Sequence, residues 1–243
     1  MKELQRLLSK IRRASEHYSM IRDGERIAVG VSGGKDSLAL LLALTKMREF
    51  YPVKYDVTAL SVDLGFDGTD GLFDGIADYC RTLGVEYRVE RTEIAKIVFG
   101  ERREKNPCSL CAMMRRGALV NAARDMGATA LSLGHHLDDA AETFMLSLAN
   151  EGRIGCFSPV TVYEDTGINV IRPMIYAREY EVAAVARAEN LPVVKSPCSE
   201  DGETERERMK EYLRTLDREH RGIYTRIIGA MERAGIDGWR GQE

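Results

Sequence analysis

The feature that most restricts this chain is Ser32-Gly33-Gly34-Lys35-Asp36-Ser37, set between a β-branched apolar stretch and a leucine-rich one. Arg26 to Val31 (RIAVGV) reads as a short buried strand, and Ser37 to Met47 as a helix with Leu38, Leu41, Leu42 and Leu44 inside. Glycine takes backbone conformations closed to other residues and lets a phosphate come close to the main chain. The following helix offers unpaired N–H groups and the positive end of its dipole to an anion. Ser32 and Ser37 add hydroxyls, Lys35 a cation, and Asp36 sits between them. The blander alternative is a tight turn with Ser or Asp as helix cap. A cap does not require two glycines, a lysine and two serines together after a buried strand. The spacing is not that of the Walker loop, which needs four residues between its Gly and its Gly-Lys.

The remaining pattern extends this unit into a fold. Val57 to Val62, Glu86 to Glu90, Thr129 to Leu133 and Asn169 to Arg172 read as strands, and Gly71 to Leu83, Cys108 to Met126, His136 to Ala149 and Arg178 to Asn190 as helices. Such alternation predicts an α/β, doubly wound, five-stranded parallel sheet covered on both faces. Ligands of these folds lie beyond the carboxyl ends of the strands, so Ser32, Asp63 and Gly134 should share one rim. Leu4, Leu7, Leu8 and Ile11 mark an amphipathic N-terminal helix, residues 1–20. The main domain then runs over 21–198. Beyond it, 199–243 is a helical segment, Glu200 to Arg221 and Ile223 to Ala234, expected to pack onto the main domain.

The formal charge of −3 announces no nucleic-acid binder by itself, though it allows a local basic face. No apolar run approaches a membrane span, and the charged start is no secretion signal, so a cytoplasmic, membrane-free protein is expected. Five cysteines in such a chain point to metal binding or chemistry rather than disulfides. Cys108 and Cys111 form Pro-Cys-Ser-Leu-Cys at a predicted helix start, which favours thiolate. Cys198 lies in a similar Pro197-Cys198-Ser199 setting. Three thiolates could hold a [4Fe-4S] cluster with one iron open. Structural zinc, the alternative, normally wants four ligands in paired spacing, and no second CxxC is present. Cys80, among Ile76, Ala77 and Leu83, reads as core; Cys156 suggests no role.

Two further groups carry chemistry. Gly134-His135-His136-Leu137-Asp138-Asp139 joins a strand to a helix, and His135, Asp139 and Glu142 fall on one helical face. Carboxylates set against the helix dipole would explain the aspartates without chemistry. Arg206, Lys210, Arg214 and Arg218 repeat every four residues and could track a phosphate backbone. Glu203, Glu207 and Glu211 interleave with them, so a solvated, ion-paired helix is the alternative. Arg102, Arg103 and Lys105 form a second basic cluster before Cys108.

SGGKDS resembles the signature of the PP-loop ATP-pyrophosphatases, a superfamily with an adenine nucleotide alpha hydrolase, HUP-like fold that splits ATP at its α-phosphorus. Together with PCSLC, Arg115-Arg116-Gly117, Leu133 to Asp139, Ile171-Arg172-Pro173 with Glu179, and Pro197-Cys198, it is similar over roughly residues 20 to 220 to the tRNA 2-thiocytidine synthetases. The resemblance implies ATP, Mg2+, and a [4Fe-4S] cluster on Cys108, Cys111 and Cys198. It also implies catalytic roles for Lys35, Asp139 and Arg115, with Ser32, Gly33, Gly34, Asp36, Ser37, Asp63 and Gly134 at the nucleotide. The implied partners are tRNA, a cysteine desulfurase or sulfide as sulfur source, and a second copy in a homodimer. The rival readings are an amidating ligase, a desulfurating enzyme and a non-enzymatic iron-sulfur sensor.

Overall fold

The computed structural model describes residues 2–69, 71–102, 107–195, 197–198 and 205–240; Arg103, Lys105, Ser199, Glu200 and Glu203 lie outside them. Its strands are β1 (Glu25–Gly30), β2 (Tyr55–Asp63), β3 (Glu86–Arg91), β4 (Ala130–Ser132), β5 (Val160–Tyr163) and β6 (Ile168–Ile171). They form one six-stranded sheet in the order β3-β2-β1-β4-β6-β5. Every pair is parallel except β5 with β6. The expected α/β parallel sheet is present, with β5 added to the five expected strands. Thr166 and Gly167 N–H groups close the β5–β6 hairpin onto the Tyr163 carbonyl at 3.2 and 2.9 Å. A four-residue edge strand with one neighbour carries no continuous apolar run, so its pattern resembles a loop.

The helices are α1 (Lys2–His17), α2 (Lys35–Met47), α3 (Asp74–Leu83), α4 (Pro107–Asp125), α5 (Leu137–Glu151), α6 (Glu179–Ala188), α7 (Glu205–Glu219) and α8 (Ile223–Ala234). A π-helical stretch, Lys96–Arg102, precedes α4. Side chains of β1 alternate between two cores, as the period of a strand requires. Ala28 joins Leu60, Leu131 and Val170 under Val120 and Ala123 of α4 and Met126 just past its end, which cover that face of the sheet. Ile27 and Val29 turn to the other face, against α2. Leu38 to Leu44 of α2 are all buried, because α1, α6 and the strands enclose the helix on several sides. Leu213, Ile227, Ile228 and Met231 dock α7 and α8 onto this larger core as expected. Among the described residues, no helix is long and apolar enough to cross a membrane.

From β1 the chain winds outward to β2 and β3, then returns to β4 on the other side of β1. That reversal opens a crevice above the carboxyl ends of β1 and β4. The glycine-rich loop and the GHHLDD segment both leave the sheet there.

Candidate active site

The loop between β1 and α2 has its shape set by its own residues. Gly33 has φ +86, a left-handed conformation, and a side chain on it would meet Val194 Cβ at 3.2 Å. Gly34 is the N-cap of α2, in extended conformation and without a side-chain cap bond. The capping alternative therefore fails: neither serine nor aspartate occupies the cap. Ser37 Oγ accepts the Ser32 N–H at 3.1 Å and donates to the Gly34 carbonyl at 2.9 Å. Ser32 Oγ lies 3.2 Å from Ser37 Oγ. The two hydroxyls staple the loop around the glycines, leaving the start of α2 open to an anion.

The neighbouring backbone is packed against this loop. A Cβ on Gly134 would lie 3.1 Å from Ser37 N and 3.2 Å from the Asp36 carbonyl carbon, so only glycine lets the β4–α5 connection cross here. His136 is the N-cap of α5: its Nδ1 accepts the Asp139 N–H at 3.3 Å, and its own N–H donates to Asp139 Oδ2 at 2.9 Å. On the other side, β2 continues through Ser61, Val62 and Asp63 past its last pairing with β1 at Leu60. Asp63 Oδ1 accepts the Gly65 N–H at 2.9 Å, which turns the chain away from the rim. Ser32, Asp63 and Gly134 thus all stand at carboxyl ends of adjoining strands.

A carboxylate organises the charges. Glu179, the first residue of α6, accepts from Lys35 Nζ at 3.2 Å, Lys210 Nζ at 2.9 Å and Arg214 at 3.4 Å. Burial raises its pKa, but Lys210 and Lys35 outweigh burial and bring it down to about 2. Burial opposes the charge on Lys35, yet Asp36 and Glu179 hold its pKa above the usual lysine range. Asp138 is buried and fully used, accepting from Arg178 Nε at 3.1 Å and the Glu179 N–H at 2.8 Å. The cations of α7 fit neither the phosphate-tracking nor the self-paired pattern in full. Arg206, Lys210 and Arg214 are ion-paired, but to carboxylates of the main domain rather than along their own helix.

Asp139 serves the N-cap and also takes Arg206 at 3.2 Å through Oδ1. Glu142 is 2% exposed and one turn further; its Oε2 lies 4.0 Å from Arg206 and its Oε1 has no hydrogen-bond partner among the described residues. His135 lies outside the helix, contrary to the expected shared face, stacked on Phe157 at 4.9 Å and receiving Arg172 Nε–H at 3.3 Å. Burial and Arg172 keep that imidazole well below its ordinary pKa, hence neutral. Burial, then the field of Asp139, pushes the Glu142 carboxyl up to about 8. The folded protein thus keeps a proton that the unfolded chain releases near pH 4.5, and wild-type stability falls as pH rises from there to about 8. Glu142→Gln should remove that loss. Its melting temperature should gain on wild type progressively across the same window, and a pH-independent difference between the two melting series would refute the buried neutral acid.

The three candidate ligands come from two segments. Cys108 is exposed in the first turn of α4, and Cys111 is half-buried one turn later. The expected lowering of thiol pKa at this helix start is reversed at Cys111: burial raises it, and the fields of Cys198 and Cys108 add to that, against Arg115. Cys108, Cys198 and Arg115 are thus the charged groups whose fields reach Cys111. Among the described residues, no three His, Cys, Asp or Glu side chains converge as ligands of a single ion. The Val194 N–H donates to the Gly33 carbonyl at 2.9 Å, tying the segment that carries Cys198 to the phosphate loop. Cys80 is core, as expected. Cys156 is a packing thiol, with Sγ 3.4 Å from the Ala140 carbonyl and burial pushing its pKa to about 12.

The contacts that sequence reasoning misses are long-range ones: Glu179 with Lys35, Arg206 with Asp139, Val194 with Gly33. The His136 cap had a local signal, a polar residue three positions before Asp139 at a helix start.

A family model described as PP-loop domain matches residues 3–216. The chain is 37% identical over 229 residues to a tRNA-cytidine(32) 2-sulfurtransferase of Geobacter sulfurreducens, covering 93% of this chain and 88% of that protein. It is 38% identical over 237 residues to the protein of the same name from Pelobacter propionicus, covering 95% and 87%. Among solved structures it is similar to the U34-tRNA thiolase NcsA from Methanococcus maripaludis with its [4Fe-4S] cluster, at TM-score 0.78 and 26% identity, covering 96% of this chain and 78% of that one.

Proposed function

We propose, from the premise that this chain belongs to the PP-loop domain family and to its tRNA-cytidine 2-sulfurtransferase branch, that it thiolates a cytidine of tRNA at C2 with consumption of ATP. The observation that carries the reading is the bond from Val194 to Gly33, because it hangs the segment bearing Cys198 on the loop that would grip ATP.

The chemistry asks two things of the protein. First, the cytidine O2 attacks the α-phosphorus of ATP, pyrophosphate leaves, and O2 becomes part of an AMP leaving group. Then sulfide forms a bond to C2, the C2–O2 bond breaks, and AMP carries the oxygen away. Cytidine, ATP and sulfide yield 2-thiocytidine, AMP and pyrophosphate, with no electrons exchanged.

The loop supplies the first step. The start of α2 and Lys35 face the pyrophosphate and stabilise its negative charge as it leaves. Mg2+ accompanying ATP would find its protein oxygen at Asp36, whose Oδ1 has no hydrogen-bond partner among the described residues. Asp139 of α5 and Arg115 of α4 would be the residues that act on the reacting base. Arg115 stays charged, so its role is to polarise rather than to shuttle protons. Cys108, Cys111 and Cys198 would hold the [4Fe-4S] cluster; a donor set of three thiolates suits it, leaving one iron to present sulfur. Sulfide supplies sulfur at that oxidation level directly; a cysteine desulfurase, which delivers persulfide sulfur, would supply it only together with a thiol reductant that gives two electrons.

The test is mass analysis of nucleosides from the tRNA of a strain lacking this protein. Loss of 2-thiocytidine, restored by the wild-type gene, is the expected result. Unchanged tRNA would redirect the enzyme to another substrate.

A further inference from the structure

A cleft of about 350 Å³ opens between α6, α7 and α8, on the far side of the Asp138 and Glu179 ion pairs described above. It is lined by Asp138, Arg178, Glu179, Tyr180, Arg187 and Arg214, with Ala183 and Tyr224. The volume falls in the range of small-ligand sites, roughly 300–1,000 Å³. Both lining carboxylates are already neutralised from within. Asp138 is held by Arg178, and Glu179 by Lys35, Lys210 and Arg214. Asp217 also reaches Arg178, at 4.0 Å.

The cations are less committed. Arg187 is exposed and has no acidic partner among the described residues. Among the described residues, the one carboxylate that Arg214 meets is Glu179, at a long 3.4 Å, and its side chain is 54% exposed. A phosphate could take Arg214 while Lys210 and Lys35 stay on Glu179. The aromatic groups are arranged for stacking. Arg178 lies over the buried Tyr224 ring at 4.0 Å and 5.7 Å from the centre of Tyr180. Tyr180 is 65% exposed, an unusual exposure for so large a ring beside two accessible arginines. Arginine next to an exposed aromatic face is the combination that binds a nucleotide of single-stranded or loop RNA, by charge on the phosphate and stacking on the base.

We propose that this cleft is a docking subsite for one nucleotide of the RNA substrate, its phosphodiester against Arg187 and Arg214 and its base on Tyr180. This rests on the reading of the chain as a tRNA thiolase. Glu179 belongs to the cleft and also to Lys35, so the subsite stands one side chain away from the phosphate loop. RNA held there is anchored beside the loop while its target base enters the crevice.

The experiment measures tRNA binding by the purified full chain across a salt series, for wild type, Tyr180→Ala and Arg187→Ala. Both side chains are exposed, so both variants should keep the wild-type melting temperature. Tyr180→Ala should weaken tRNA binding at least about fivefold. Arg187→Ala should lower the slope of log affinity against log salt by roughly 0.7 to 0.9, the loss of one phosphate contact. Wild-type affinity and slope in both variants would overturn the subsite and leave the thiolase reading standing. A wild type that binds no tRNA at any salt would overturn both. Weakened binding of a fluorescent ATP analogue with tRNA affinity unchanged would assign the cleft to free nucleotide and overturn the RNA subsite.

Discussion

Lys35→Ala should cut pyrophosphate release with ATP and tRNA by on the order of 10²–10³-fold while leaving the fold intact. The ammonium stands on the first residue of α2, where the helix and the two glycines already favour an anion. Asp36 at 3.0 Å and Glu179 at 3.2 Å keep it charged. Charge that develops on the departing pyrophosphate is what a fixed cation stabilises most, so the loss should fall on kcat more than on the KM for tRNA. The fold should survive because Glu179 retains Lys210 and Arg214. Steady-state pyrophosphate release and a thermal melt together check this. A rate within threefold of wild type would remove Lys35 from the chemistry.

That expectation rests on a part of the molecule legible in the amino-acid sequence alone. RIAVGV followed by SGGKDS and a leucine-rich helix is local information: strand, turn and helix are adjacent in the chain, and the loop glycines answer a backbone need. Gly33 takes a positive φ under Val194, and Gly134 lets the β4–α5 connection lie on Asp36 and Ser37. The parallel, doubly wound character of the sheet was legible for the same reason, since alternating strands and helices admit few windings.

What was not legible depends on separation. Glu179 meets Lys35 across 144 positions, and nothing near either residue announces the other. The helix carrying Arg206, Lys210 and Arg214 shows why composition alone misleads. Its interleaved acids suggested a self-paired surface, yet it packs on α5, so three of its cations reach Asp139 and Glu179 instead. The thiol at Cys111 is a similar case: a helix start favours thiolate, but burial, which periodicity does not reveal, dominates in the folded chain. β5 escaped notice because a short edge strand has one partner and half-buried sides.

The second large effect separates the two halves of the reaction. Cys198→Ala should abolish formation of 2-thiocytidine, while pyrophosphate release with ATP and tRNA continues. The tie between this segment and the phosphate loop is the backbone of Val194, which a side-chain change four positions later leaves in place. Two thiolates on one turn of α4 cannot alone satisfy a cluster that takes three protein sulfurs. Anaerobically purified wild type should therefore contain iron and sulfide near about four each per chain, and the variant little of either. Cys156→Ala, which removes a thiol packed on Ala140 of α5, should keep the wild-type metal content. Thiolation that persists in Cys198→Ala, or zinc in place of iron in the wild type, would sink the assignment of a [4Fe-4S] cluster to Cys108, Cys111 and Cys198. If pyrophosphate release stops together with thiolation, the segment from Val194 to Cys198 does more than carry a ligand: it would then set the conformation of Gly33, and the Val194 bond would couple the thiols to ATP cleavage.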